Sequence, residues 1–214
     1  METNVYLCNI NIWRCHFNKK VTDILNIIES MKIRTTIAAA LLAMTATAVA
    51  QTSNQTEMTD EKLNLTQEWD KTFPKSDKVN HVKVTFHNRY GVTLAADLYT
   101  PKNASGQLAA IAVSGPFGAV KEQASGLYAQ TMAERGFFTI AFDPSYTGES
   151  GGEPRNVASP DINTEDFCAA VDYLATRDEV DENRIGILGI CGWGGLAINA
   201  AAADPRIKAT VAST

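Results

Sequence analysis

At 214 residues, 45% hydrophobic and 20% charged, the chain is long enough for one or two domains and shows none of the bias of a disordered or low-complexity protein. Beyond position 50 there are 21 acids and 14 bases, a balance of about -7, which argues against nucleic acid as a partner, since that calls for a basic face. The histidines are His16, His81 and His87, and the cysteines are Cys8, Cys15, Cys168 and Cys191; no spacing among them is that of a zinc site.

Residues 1–30 show no clear periodicity and read as an extension upstream of a true start at Met31. Residues 31–50 have the order of a signal peptide. Lys32 and Arg34 precede an Ala-rich apolar run that ends Ala48-Val49-Ala50, so cleavage is expected after Ala50. The run is too short for a comfortable membrane span, and no Cys follows to carry a lipid anchor. The expectation is export to the periplasm or beyond, both oxidising, with no membrane span left after cleavage.

Residues 51–78 read as a flexible lead-in with a short helix around Glu61–Trp69. HVKVTFH then alternates, Val82, Val84 and Phe86 sharing a face; Asn88-Arg89-Tyr90-Gly91 turns the chain, and VTLAADLY alternates again, a β-hairpin. LAAIAVS (108–114), FFTIAF (137–142), IGILGI (185–190) and IKATVAS (207–213) are continuous apolar runs, the mark of strands buried on both faces. Helical stretches fall between them: Ala124–Arg135 closed by Gly136, one capped by Asn163 or Thr164 and running through Phe167, Val171 and Leu174, and the small-residue stretch GGLAINAAA. Buried strands alternating with helices predict an α/β class: a mostly parallel, doubly wound sheet with a leading antiparallel hairpin, its domain covering 79–214.

The segment RIGILGICGWGG carries the chemistry. A buried strand enters Gly189-Ile190-Cys191-Gly192 and a helix leaves at once, so a nucleophile there needs small neighbours for its backbones to come together. Cys191 would sit at a helix N-terminus, where the dipole favours thiolate, with the Gly192 N–H aimed at a developing oxyanion. The second oxyanion donor is expected from the loop SGPFGAVKEQ; Pro116 has no N–H, which leaves Phe117.

These segments, with NRYGVTLAADLYTP and FDPSYTGESGG, resemble the α/β-hydrolase superfamily and, more narrowly, dienelactone-hydrolase-like exported bacterial proteins. The resemblance covers about residues 79–214. It implies hydrolysis of an ester, lactone or related acyl bond of a small molecule through an acyl-enzyme on Cys191, without metal or organic cofactor. Two features depart from the family. Trp193 stands two places after the nucleophile, where a small residue is usual. The family's acid follows a seventh strand and its histidine an eighth, whereas Ile207–Ser213 counts as the sixth; the expectation is a C-terminally truncated domain that lacks turnover.

Blander readings stand beside these. Cys191 could be a small buried residue, and Cys168, next to Phe167, a core one; a Cys168–Cys191 disulfide is also open. Asp143 reads as a cap or brace for the loop after its strand, and Glu122, Glu149 and Glu165 as braces or solvated acids. His81 and His87 lie on the first strand, the wrong place for a base. Gly192, Gly194 and Ala197 also fit a dinucleotide fingerprint, but the next strand ends Ala212-Ser213-Thr214 without the acid that fingerprint wants. A non-catalytic remnant is the remaining alternative. Substrate identity and oligomeric state are not written in the sequence.

Overall fold

The computed structural model describes residues 62–213, all within one compact unit, Met58–Thr214. The segments expected as a signal peptide (31–50) and as an extension before it (1–30) lie outside the described residues. Nine elements follow in chain order: β1 (Val79–His87), β2 (Thr93–Pro101), β3 (Leu108–Ser114), α1 (Ala124–Glu134), β4 (Phe138–Phe142), α2 (Pro160–Ala175), β5 (Val180–Ile190), α3 (Trp193–Ala203) and β6 (Ile207–Ser213).

One six-stranded sheet has the order β1-β2-β4-β3-β5-β6. β1 pairs with β2, and β2 with β4, antiparallel; β4, β3, β5 and β6 run parallel. The expected mostly parallel α/β sheet with a leading hairpin is therefore the observed one. Among the described residues no helix is long and apolar enough to cross a membrane.

The two faces of the sheet are covered differently. α2 and α3 bury Phe167, Leu174, Trp193 and Leu196 against Ala96, Ile140, Phe142 and Ile187 on one face. On the other, Ala129 and Ala133 of α1 meet Tyr99, Val113, Ala141 and Leu188. Phe73 completes that second layer, so the segment before β1 contributes to the core. No helix forms over residues 62–69; the segment runs as irregular chain, pinned by the Trp69 indole N–H donating to the Phe73 carbonyl at 2.9 Å.

The hairpin alternation translates into burial only in part. β2 is interior to the sheet and sits under both layers, Leu94 and Ala96 in the core with α2 and α3 and Tyr99 in the core with α1 and Phe73, so Leu94, Ala95, Ala96 and Asp97 are all fully buried. β1 is an edge strand, and its apolar face fades along its length: Phe86 is buried while Val82 is 53% exposed.

Helix ends follow local chemistry. Gly136 has φ 98°, and the Gly136 and Phe137 N–H groups close α1 on the carbonyls of Ala133 and Met132. α2 starts at Pro160, earlier than expected, because Pro is preorganised for the first helical position and Asp161 suits the positive end of the dipole. Asn163 is thus inside the first turns, its Oδ1 accepting from the Ser159 N–H at 2.9 Å.

Candidate active site

β5 delivers Cys191 to the junction with α3, and the junction is an elbow. Cys191 has φ 58°, a left-handed conformation that L-residues other than Asn and Asp avoid. The backbone is held there from both sides: the Cys191 N–H donates to the Ser213 carbonyl at 2.6 Å, and its carbonyl accepts from the Gly194 N–H at 3.0 Å. The residue is exposed, which sets aside the reading of Cys191 as a small core residue. Strain concentrated at one exposed side chain between a buried strand and a helix is a mark of functional sites.

At three positions around the elbow the structure leaves room for glycine alone. A Cβ on Gly189 would collide with the Trp193 carbonyl and meet the Ala197 Cβ at 2.9 Å, because α3 folds back across β5. Gly115, at φ 111°, lies under the Ile190 carbonyl with no room for a Cβ, and one there would meet the Trp193 Cβ at 2.9 Å. A Cβ on Gly192 would strike the Phe117 ring. The close approaches thus fall on Gly189 of β5, Gly192 just after the thiol and Gly115 in the loop after β3.

Trp193 is accommodated by turning inward. It is almost fully buried, edge-on to Phe142 and Phe167 with ring centroids 6.1 and 5.6 Å away, and 6.2 Å from Phe117. Its backbone makes the tight contact with Gly189 while its indole fills the core under α2. The ring is at once a core residue and one wall of a small cavity at the elbow.

Phe117 lies on the loop after β3, its ring over Gly192 and 54% exposed. The structure therefore brings Cys191, Gly192 and Phe117 together. Both described cysteines are free; Cys168 is half-buried on α2, where burial pushes its thiol up to about 11.

Two buried polar networks support the loops, and sequence reasoning missed their extent. Asp143, at the end of β4, is completely buried and accepts from the Lys121 N–H (2.7 Å), the Lys121 ammonium (2.9 Å) and the Glu149 N–H (2.9 Å). It ties the loop carrying Phe117 to the loop after β4. Burial works against the Lys121 charge, but Asp143, Glu122 and Glu149 around the ammonium raise its pKa above the ordinary lysine value. A Cβ on Gly148 would run into the Asp143 carboxylate, so the brace closes only over glycine.

The second network centres on Asp166 of α2, also fully buried. It accepts from the Ser145 N–H and hydroxyl (2.9 and 2.7 Å) and from the Asn88 and Asn163 amides (2.9 and 3.0 Å). Burial pushes its carboxyl up, against the pull of these four donors. No sequence signal marks a helix-interior Asp as the anchor of a loop twenty residues earlier.

Asp70, Glu122 and Glu149 offer oxygens within 4.8 Å of one another, a spacing that could hold a cation. The Lys83 ammonium already occupies the centre of that cluster, 2.9, 3.4 and 2.7 Å from the three carboxylates, and Lys71 and Lys121 supply the remaining positive charge. The described histidines are remote. His81 is bonded to Asp97 at 2.7 Å on β1, and His87 ends that strand. Three strands separate β1 from β5, about 19 Å at the usual strand spacing.

Residues 90–214 match the family model described as X-Pro dipeptidyl-peptidase (S15 family). The uncharacterised protein PA2218 of Pseudomonas aeruginosa is 67% identical over 182 residues, 83% of this chain and 49% of that protein. Its crystal structure superposes with a TM-score of 0.69, covering 70% of this chain and 47% of that one. The α/β-hydrolase GrgF from a Penicillium species superposes at 0.58 with 30% identity, over 61% of this chain and 44% of the other. A thiohydrolase, aneE of Aspergillus aculeatus, is 32% identical over 62% of this chain and 41% of its own length. A Klebsiella pneumoniae chain provisionally assigned as a dienelactone hydrolase shares the fold at 23% identity and a TM-score of 0.53. The chain spans about half the length of the curated relatives it matches.

Proposed function

Because the chain belongs to the X-Pro dipeptidyl-peptidase (S15) family and carries the α/β-hydrolase fold, we propose that Cys191 is an acyl-accepting nucleophile in the cleavage of small esters, lactones or thioesters. The observation that supports this most is the exposed Cys191 at φ 58° on the turn between β5 and α3. The thiohydrolase among the relatives favours an ester or thioester carbonyl over the peptide bond in the family's name. In this reading the thiolate attacks the carbonyl carbon, the leaving group departs with the electron pair of the broken bond, and a thioester remains on Cys191.

The Gly192 and Phe117 N–H groups are the proposed oxyanion donors. The Cys191 N–H is taken by Ser213, so the next amide along the turn is the natural candidate. Both described histidines stand on β1, remote from Cys191, so in this reading acylation without turnover is the expected outcome. The reading includes export, on the strength of the signal-like segment 31–50.

The test is incubation with p-nitrophenyl acetate, followed by intact mass spectrometry and peptide mapping. The expected result is one acetyl group on Cys191, absent from Cys191→Ala, with no more than one equivalent of p-nitrophenolate released. Sustained turnover lost in Cys191→Ala would overturn the single-acylation claim. Absence of acetyl from Cys191 would overturn the nucleophile itself.

A further inference from the structure

We infer that the small cavity beside the elbow is an acyl-chain subsite that selects linear aliphatic acyl groups of intermediate length. The inference deepens the reading of Cys191 as the nucleophile and rests on it. The cavity has a volume of about 160 Å³ and shares two walls with the elbow: the ring of Phe117, which covers Gly192, and Trp193, two residues beyond the thiol. Pro144, Val157 and Ala158 face them from the loop after β4. A chain bound through its carbonyl at Cys191 thus has an adjacent apolar recess.

No charged residue among those described lines it; its polar side chains are Thr147, Asn156 and Asn163, and Asn163 commits both ends of its amide within the protein, to the Ser159 N–H and to Asp166. The loop opposite the aromatic walls is held to α2 by Asp166 through Ser145, so the recess has a fixed size. At roughly 30 Å³ per water the cavity holds about five, and a methylene needs much the same room, which sets a limit near five carbons beyond the carbonyl. The larger groove of about 390 Å³ is no competitor: its lining comes from β3, β5, β6 and the α1–β4 region, with no residue of the elbow turn or the Phe117 loop.

The test is the rate at which Cys191 of the full chain is acylated by p-nitrophenyl acetate, butanoate, hexanoate and octanoate, each normalised to N-acetylcysteine. Carbonyl chemistry is constant along the series: p-nitrophenolate leaves, the thioester forms, and the thiol proton goes to buffer. The normalised rate is expected to rise by about fourfold per methylene to hexanoate and to fall at octanoate. Ala158→Leu, which fills the recess from an exposed loop position, should erase the gain between butanoate and hexanoate; Ile198→Ala, on the outer surface of α3, should keep the wild-type series. Equal normalised rates along the wild-type series, or a hexanoate preference that survives Ala158→Leu, would overturn the subsite while leaving Cys191 as the nucleophile. No acyl group on Cys191 with any ester would overturn both.

Discussion

The Cys191 N–H donates to the Ser213 carbonyl at 2.6 Å, so the strained turn at the end of β5 is fastened to the end of β6. The elbow is therefore held by its own glycines and by the neighbouring strand together, and a residue at the contact between α3 and β5 governs both.

Gly189 is that residue. Gly189→Val drives a branched side chain into the Trp193 carbonyl and the Ala197 Cβ, neither of which can retreat without moving α3 off the sheet. Overpacking of this kind costs about 1–3 kcal/mol. Thermal unfolding is expected to show a Tm lower by about 2–4 °C for each kcal/mol lost. An unchanged Tm would mean that α3 does not press on β5 as described.

Lys121→Met leaves Asp143 buried without its cation, a change that usually costs about 3–5 kcal/mol. Urea unfolding should place this variant far below the wild type. Lys121→Met combined with Asp143→Leu is expected to recover much of the loss, since it removes the stranded charge as well.

The same cluster sets an acid limit. Burial opposes ionisation of Glu149, but hydrogen bonds from Lys121 and Lys83 hold its pKa at about 2; Asp70, likewise opposed by burial and held by Lys71 and Lys83, also lies at about 2. A carboxylate depressed on folding stabilises the native state above its unfolded pKa and loses that contribution as pH falls through the folded one. Stability is therefore expected to decline between about pH 4.5 and pH 2, and the Glu149→Gln variant should show a shallower decline. Circular dichroism against pH measures both.

Reactivity of the two described thiols should differ. Cys191 is exposed, whereas Cys168 is half-buried with its thiol pushed up to about 11. At pH 8 iodoacetamide is expected to label Cys191 at least about tenfold faster, since the thiolate is the nucleophile. Peptide mapping over a time course measures it; faster labelling of Cys168 would contradict the described packing.

β6, expected to be buried on both faces, is instead an edge of the six-stranded sheet with most of its residues exposed, and the groove of about 390 Å³ along β3, β5 and β6 opens Ala209 and Val211 beside Ile111 and Ile187. An open apolar surface of this kind binds hydrophobic dyes and promotes association. Anilinonaphthalene sulfonate fluorescence is expected to rise with the native chain and to fall by about half in Val211→Lys, which places a charge on one of the groove's several apolar walls.

Much of the architecture follows from local patterning. Apolar runs as continuous as Leu108–Ser114 and Phe138–Phe142 have no polar face to give to water, so they settle as strands covered on both sides, and the glycines flanking Cys191 permit only a sharp turn. That alternation of run and turn was enough to place the sheet, the hairpin and the elbow. Three things depended on distant parts of the chain meeting. Val82 stays exposed because β1 is an edge, which only strand order decides. Trp193 fits because Gly115, nearly eighty residues earlier, leaves it room. Lys121, Asp143 and Asp166 became buried anchors because a charge inside a protein requires partners, and those partners come from loops whose proximity no spacing in the sequence records.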